Sequence, residues 1–343
     1  MAALTVRPLE EKDFRAWNAF VEQAKDGTFF HLAEWQRVLK RAFRLDTHYL
    51  YAASGNEIRG LLPLARVRRP NLRFALVSTP CCVYGGALAT DAATATALET
   101  AACELAAKLG ADYLELRNLT RRRADWPTSG LYATFRRTLD AEPEKNLLTI
   151  PRKERADIRK SLEAGLRSKV TEDAGRFFPL YARSTRNLGA PAYPKRYFEI
   201  LLETFGEKAE IRLAVKGGDI LCGVFSFYFR DQVLPYYAGS VPAARDMKAY
   251  PFLYWELMRA ACEKGVRLFD FGRSLQGSGA FAFKKNWGFE AVSLPYQYHL
   301  LRAQRMPEMN PAGPGYRTLA GLWRHLPLAV ANRLGPCFAP WVS

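Results

Sequence analysis

Histidine is scarce in this chain. Only His31, His48, His299 and His325 occur, and they are scattered. A histidine-centred triad or a histidine-built metal site is therefore not expected. The six cysteines include no CxxC pair, and no histidine sits at metal-ligand spacing from them. They read as small buried apolar residues of a reducing compartment rather than as disulfides or zinc ligands. A GxSxG nucleophile elbow and a GxxxxGK[ST] phosphate loop are both lacking. No run reaches the roughly 18 to 20 apolar residues that cross a bilayer. Residues 1–11 carry Arg7, Glu10 and Glu11 with no apolar stretch between, so no secretory signal is read there and a cytoplasmic location is expected. Acidic residues are also under-represented. Asp and Glu total 34 against 50 Lys and Arg, a net charge of +16, which favours anionic partners without choosing among them. Apolar material is ample: 343 residues at 49% hydrophobic suffice for two packed cores and argue against disorder.

The second half of the chain replays the first at three stations. Residues 49–67 and 212–229 each read as a strand, a polar turn and a second strand entered through a glycine, Gly60 or Gly223. Next come stretches rich in Tyr and small residues, CCVYGGALA with Tyr84-Gly85-Gly86 and VLPYYAGSV with Tyr237-Ala238-Gly239-Ser240, both read as later strands. Then residues 97–118 and 252–273 each read as a helix, a glycine stop at Gly110 or Gly265, and an apolar strand closing on Glu115 or Asp270. The offsets are 163 for Gly60 to Gly223 and 155 for Gly110 to Gly265, the difference being absorbed by extra loop around RRPNLR in the first copy. A helix upstream also repeats, FHLAEWQRVLKRAF against YPKRYFEILLETFG. A period this long means a duplicated α/β domain with a mixed sheet, not a solenoid. The expected division is 1–145, 146–305, and a C-terminal loop and amphipathic helix over 306–343.

The densest concentration of chemistry is DFGRSLQGSGAFAFKKNWGFE, residues 270–290. Asp270 ends a strand, Gly272, Gly277 and Gly279 open the backbone to a ligand, Arg273 is a fixed cation, and Lys284 and Lys285 follow. Residues 150–170 read as a basic helix in which Arg152, Arg155 and Arg159 share a face, with Lys160 beside them, suited either to phosphates or to plain solvation. Tyr237 precedes Ala238-Gly239-Ser240, and Glu256 with Trp255 begins the following helix; aromatics beside small residues either line a pocket or belong to the core. Glu256 or Asp270 has the chemistry to relay a proton from an amine nucleophile.

Four segments, FHLAEWQ, VYGG, the IRK of the basic helix, and FDFGRS with GAFAFKKNWG, resemble the Fem-type (FemAB-like) aminoacyl/acyltransferases. The last resembles most the Fem-like proteins found with exosortase (PEP-CTERM) and exopolysaccharide systems of Gram-negative bacteria. The resemblance spans about residues 5–300. It implies two tandem GNAT-like (acyl-CoA N-acyltransferase-like) domains, with the reaction centre in the second. It implies transfer of an acyl or aminoacyl group to an amine of an envelope precursor, phosphorylated or lipid-linked, in peptidoglycan or exopolysaccharide chemistry. No bound cofactor is implied; the co-substrate is aminoacyl-tRNA, which makes tRNA a partner, or acyl-CoA. By the same resemblance Lys284 holds a substrate carboxylate or stabilises the tetrahedral transition state, with Asp270 and Arg273 beside it. Arg159 and Lys160 hold phosphate or acceptor, and Tyr84, Gly85 and Gly86 line an acceptor cleft between the domains. The coiled-coil arm that some Fem enzymes use for tRNA has no counterpart, and RSLQGSG at 273–279 spaces its glycines unlike the acyl-CoA pattern [RQ]xxGx[GA]. Two other functions stay open: an acyl-CoA-dependent N-acyltransferase on an amino sugar or small amine, and a non-catalytic protein binding RNA or anionic lipid. The segment TLAGLWRHLPLAVANRLG reads either as a helix packed on the body, interrupted by Pro327, or as a basic helix making peripheral contact with the inner membrane.

Overall fold

The computed structural model describes residues 3–68, 73–307 and 313–342. The extra loop at 69–72 and Pro311 of the C-terminal loop lie outside the described residues. In chain order come β1 (Leu4–Pro8), α1 (Phe14–Gln23), α2 (Glu34–Phe43), β2 (Leu50–Ser54), β3 (Glu57–Leu62), β4 (Leu64–Val67), β5 (Ala75–Ser78), β6 (Leu88–Ala89), α3 (Ala92–Leu109) and β7 (Tyr113–Leu116). Then follow β8 (Thr128–Thr138), α4 (Pro143–Thr149), α5 (Arg152–Glu163), β9 (Arg167–Thr171), α6 (Ala174–Asn187), α7 (Lys195–Phe205), β10 (Ala209–Lys216), β11 (Asp219–Phe229) and β12 (Gln232–Ser240). The last are α8 (Ala249–Glu263), β13 (Leu268–Asp270), β14 (Ser274–Leu275), α9 (Gly279–Asn286), β15 (Ala291–Leu300), α10 (Pro314–His325) and α11 (Leu328–Val342).

Two compact units result. Unit 1 comprises Met1–Leu131, Leu294–Met309 and Pro340–Ser343; unit 2 comprises Tyr132–Ser293 and Asn310–Ala339. The division therefore falls after Leu131 rather than at 145, and residues 294–305 leave the second copy. Strand pairing explains the shift. Residues 136–138 of β8 pair with β13, inside unit 2, while Gln297–Leu300 of β15 pair with β7, inside unit 1. Each copy's closing strand belongs to the other copy's core, which a local reading of repeats does not reveal.

Within unit 1, β1-β2-β3-β6 form an antiparallel ladder, and β4-β5-β7-β15 contain one parallel step, β5 beside β7. Helix α3 is the crossover that a parallel step requires. Asp91 caps its start by accepting from the Thr94 amide at 2.8 Å, and Gly110, at φ +75°, ends it. Leu62, Leu64, Leu76, Leu98, Ala102, Leu114 and Leu116 form its core with Trp126 at one side.

Unit 2 repeats the plan. Its sheet runs β8-β13-β12-β11-β10-β9, with β12 parallel to β13 and α8 as the crossover, ended at Gly265 with φ +77°. The two hairpins are equivalent down to a register irregularity, at Ala52/Ala53 in β2 and at Ala214/Val215 in β10. Phe135, Phe252, Leu257, Met258, Phe269, Phe271 and Trp287 anchor the core. The basic helix is shorter than expected. It stops at Glu163, Gly165 turns left-handed at φ +77°, and Arg167 and Lys169 sit on edge strand β9, where charge discourages further strand pairing. The CCVYGG stretch is likewise not a strand but an irregular loop, with Thr79 at φ 36° and Cys81 at φ 69°.

Helix α6 lies so close on β12 that a side chain on Gly239 would collide with the backbone of Leu180 and Tyr181. Backbone cannot step aside as a flexible side chain does. Gly239→Ala is expected to cost about 1–3 kcal/mol of stability. A thermal or urea unfolding curve indistinguishable from wild type would show that α6 is free to shift.

Candidate functional site

In unit 2, β12 and β13 pair only at Gln232/Leu268 and Val233/Phe269, although β12 continues to Ser240. Polar groups gather just past that pairing, where open α/β sheets place ligands. Asp270, fully buried, accepts from the Gly272 amide at 2.7 Å and from Thr134 Oγ1 at 3.2 Å. It also pairs with Arg136 Nε at 3.3 Å. Gly272 adopts φ +64° to make the turn. The chain then runs to α9, whose N-cap Ser278 accepts from the Phe281 amide at 3.2 Å. One turn of helix later, α9 delivers Lys284.

Lys284 Nζ donates to the carbonyls of Phe271 (2.6 Å), Gly272 (2.9 Å) and Arg273 (3.3 Å). An ammonium has three N–H groups, so these carbonyls engage all of them. The rings of Phe135 and Phe271 lie 5.5 and 5.8 Å from Nζ. Burial of the ammonium pulls its pKa down to about 7; Asp270 opposes the shift and Arg273 adds to it. Arg273 stacks over Tyr132 at 4.5 Å. Asp270, Arg273 and Lys284 are thus one cluster. In this arrangement the hydrogens of Lys284 hold the backbone of 271–273.

Unit 1 carries a second polar locus at the same place in its own copy. The strained loop after β5 is tied down by its carbonyls. Arg117 Nη1 donates to Cys82 O at 2.6 Å, and Tyr296 Oη donates to Val83 O at 2.7 Å. The His31 Nδ1 accepts from the Thr28 amide at 3.2 Å, so Nε2 carries the proton and donates to Gly86 O at 3.1 Å. Arg117 is itself paired with Glu115 at 2.9 Å, both buried. A side chain on Gly85 would collide with Thr79, and one on Gly86 with Asn118. The loop walls a cavity of about 100 Å³ together with His31, Arg117, Asn118 and Arg122. Asn118 is 4% exposed; its Oδ1 accepts from the Ala87 amide, but its Nδ2 is buried with no hydrogen-bond partner. Native proteins rarely leave such a donor unpaired, which makes Asn118 a candidate ligand contact. Asn118 stands 155 positions before Arg273, the offset that relates Gly110 to Gly265. Sequence reasoning stopped at Glu115 of LELRN and missed Asn118, His31 and Arg117; that offset was the signal that could have found Asn118.

The remaining expected residues are dispersed. Tyr84 is buried against Phe30 and lines the unit 1 cavity with Gly85 and Gly86. Tyr237 is a core residue of unit 2. Its hydroxyl is bonded to that of Tyr197 at 2.8 Å, and its ring meets Tyr181, Phe198 and Phe225. Burial holds its pKa well above the usual tyrosine value. Glu256, on α8, spends both carboxylate oxygens on Arg259 of the same helix. Arg159 and Lys160 point from α5 into solvent.

Residues 152–285 match the family model described as an acetyltransferase (GNAT) domain, a span that contains Asp270, Arg273 and Lys284. A search of curated protein sequences finds no match. Among solved structures the chain is similar to FemX, with a TM-score of 0.67 at 15% identity over 87% of this chain and 98% of that one. It is also similar to a tandem GNAT protein of the clavulanic acid biosynthesis pathway (TM-score 0.55, 15% identity, 87% and 98% covered). A third likeness is to the C-terminal domain of an Agrobacterium fabrum protein assigned as a lysylphosphatidylglycerol synthetase (0.54, 14%, 84% and 91%). At these identities the likenesses show the fold, a mixed α/β arrangement of two GNAT-type units.

The lowered pKa of Lys284 has a consequence for stability. Between about 7 and the ordinary lysine value of 10.5, the folded chain holds fewer protons at this site than the unfolded chain. Stability contributed at Lys284 therefore rises with pH across that window, and the penalty is fullest below pH 7. Melting temperatures of wild type and Lys284→Met, compared from pH 7 to 10, should differ by an amount that moves in favour of wild type. A constant difference would show that this amine titrates normally.

Proposed function

We propose that this chain is an N-acyltransferase passing an acyl or aminoacyl group from an activated donor to an amine of a cell-envelope precursor, with the reaction centre in unit 2. The observation that carries the reading is the cluster of Lys284, Arg273 and Asp270 past the end of β13, inside the segment that matches the GNAT domain model. Amine attack on a donor carbonyl builds negative charge on its oxygen, and fixed cations in a dry site stabilise that charge. Lys284 fixes the backbone of 271–273 and adds its field, and Arg273 is the second cation. Asp270, held by Arg136, Thr134 and the Gly272 amide, orients the turn that carries both.

The exposed cations of α5, Arg152, Lys153, Arg159 and Lys160, suit a donor that carries phosphates, as both aminoacyl-tRNA and acyl-CoA do. In unit 1 the acceptor reading rests on the Tyr84–Gly86 loop and the unpaired Asn118 amide. An envelope acceptor agrees with what the Fem resemblance implies, and with the lysyl-lipid product in the name of the Agrobacterium fabrum neighbour. A second reading, acyl-CoA transfer to an amino sugar or small amine, is favoured by the lack of a coiled-coil arm among the described residues and by the likeness to the tandem GNAT protein, which is described as without AcCoA.

Donor binding separates these readings. Purified protein is titrated with acetyl-CoA, a long-chain acyl-CoA, and charged and uncharged tRNA. Preference for charged tRNA supports aminoacyl transfer; saturable acyl-CoA binding supports the second reading. With the donor known, Lys284→Ala is expected to lower turnover by about 10²-fold while the fold is kept. Full turnover in that variant, or binding to every polyanion alike with a steep salt dependence, would replace the enzyme by a binding protein.

A further inference from the structure

Helices α10 and α11 are amphipathic in the wrong sense. Where unit 2 receives them, the buried positions are small: Ala320, Ala331, Gly335 and Ala339. Ala320 and Ala331 are covered, Ala320 abutting Gly189 and Gly335 abutting Ala192. Arg186 Nη1 donates to the Arg324 carbonyl at 2.8 Å, which fixes the docking. Trp323, Leu326 and Leu328 are half-buried, but Leu319, Leu322, Val330, Leu334 and Phe338 face outward. Leu319 and Leu322 lie one turn apart on α10, and Val330, Leu334 and Phe338 form a stripe along α11. Trp323 and Phe338 meet edge-to-face at 5.9 Å and join the two helices. Leu188, whose carbonyl accepts from Arg324 Nη2 at 3.4 Å, extends the same surface and is 73% exposed. Six of the eleven exposed large hydrophobics of the described residues therefore crowd one corner. A helix that served only packing would have turned those side chains inward.

Charge selects what covers this face. From Asn310 to Ser343 there is no Asp or Glu, while Arg317, Arg324 and Arg333 are exposed. The chain as a whole carries +16, so a second copy would bring like charge against like. The break at Pro327 leaves two helices, in contact at Trp323 and Phe338, rather than one rod, and no described helix is long and apolar enough to cross a membrane. We infer that the α10–α11 hairpin docks unit 2 on the surface of an anionic lipid bilayer, with leucines and Phe338 entering the acyl boundary and the arginines meeting lipid phosphates. This does not rest on the acyltransferase reading; a protein with no catalysis would dock in the same way.

The test is co-sedimentation of the full chain with vesicles of phosphatidylcholine alone and of phosphatidylcholine with phosphatidylglycerol. Binding is expected only to the anionic vesicles, weakening with salt. Leu322→Glu with Phe338→Glu should weaken it at least about tenfold, since each removes a large apolar group from the lipid. Both sites are exposed, and an unchanged circular dichroism spectrum confirms the fold. Arg324→Gln with Arg333→Gln supplies an independent arm, which should reduce anionic selectivity alone. Equal binding by wild type and the Glu variant overturns the proposal. So does a concentration-dependent dimer that the Glu variant dissolves while neither protein binds vesicles, which would make the occupant a second copy.

Discussion

Parallel strand pairing is the constraint from which most of this molecule follows. Two parallel strands cannot be joined by a tight turn, so each copy must interpose a helix between them. That helix is α3 between β5 and β7, and α8 between β12 and β13. Once the crossover is in place, the chain leaves both strands of the pair at the same edge. Their loops meet there, and backbone groups that no longer pair must find side chains or ligands. In unit 1 those side chains are Arg117, His31 and Tyr296; in unit 2 they are Asp270 and Lys284.

The acidic residue at the end of each second strand shows how one position was kept and differently used. Glu115 is neutralised by Arg117, the residue just past its own strand, which then reaches the Cys82 carbonyl. Asp270 is neutralised from the neighbouring strand by Arg136, leaving its other oxygen for the Gly272 amide. A buried carboxylate without such partners would cost several kcal/mol. The two solutions lead to different loci. Unit 1 has a glycine loop and an unpaired amide donor. Unit 2 has a lysine and an arginine beside the turn.

Much of this was legible in the sequence because it is local. The hairpins, the glycine stops at Gly110 and Gly265, and the acidic strand ends recur at nearly fixed offsets, and duplication follows from them without any structure. Lys284, Asp270 and Arg273 were legible as one segment because they are close in the chain. What was hidden is what depends on distant pairing. Nothing in TSGLYATFRRT shows that it pairs with 268–270, and nothing in the later strand shows that it returns to β7. The tyrosine pair at 236–237 looks the same to a composition argument whether it lines a pocket or fills a core; only the bond between the Tyr237 and Tyr197 hydroxyls decides. The state of Lys284 was hidden as well, since three backbone carbonyls leave no mark in a side-chain pattern.

The C-terminal hairpin extends that lesson to surfaces. Its apolar content was visible as a sequence, but periodicity gives a stripe and not the side of the helix that meets the body. On α11 the small stripe of Ala331, Gly335 and Ala339 and the large stripe of Val330, Leu334 and Phe338 are both regular. A reading that assigns the larger residues to the core is right for most helices, because burying a leucine gains more than burying an alanine. Here the docking surface at 186–192 carries Gly189 and Ala192 and admits only small neighbours, so close contact favours the alanines and leaves the leucines outside. Steric fit at a glycine-bearing site thus decides the orientation against the larger hydrophobic term, and leaves Leu319, Leu322, Val330, Leu334 and Phe338 exposed.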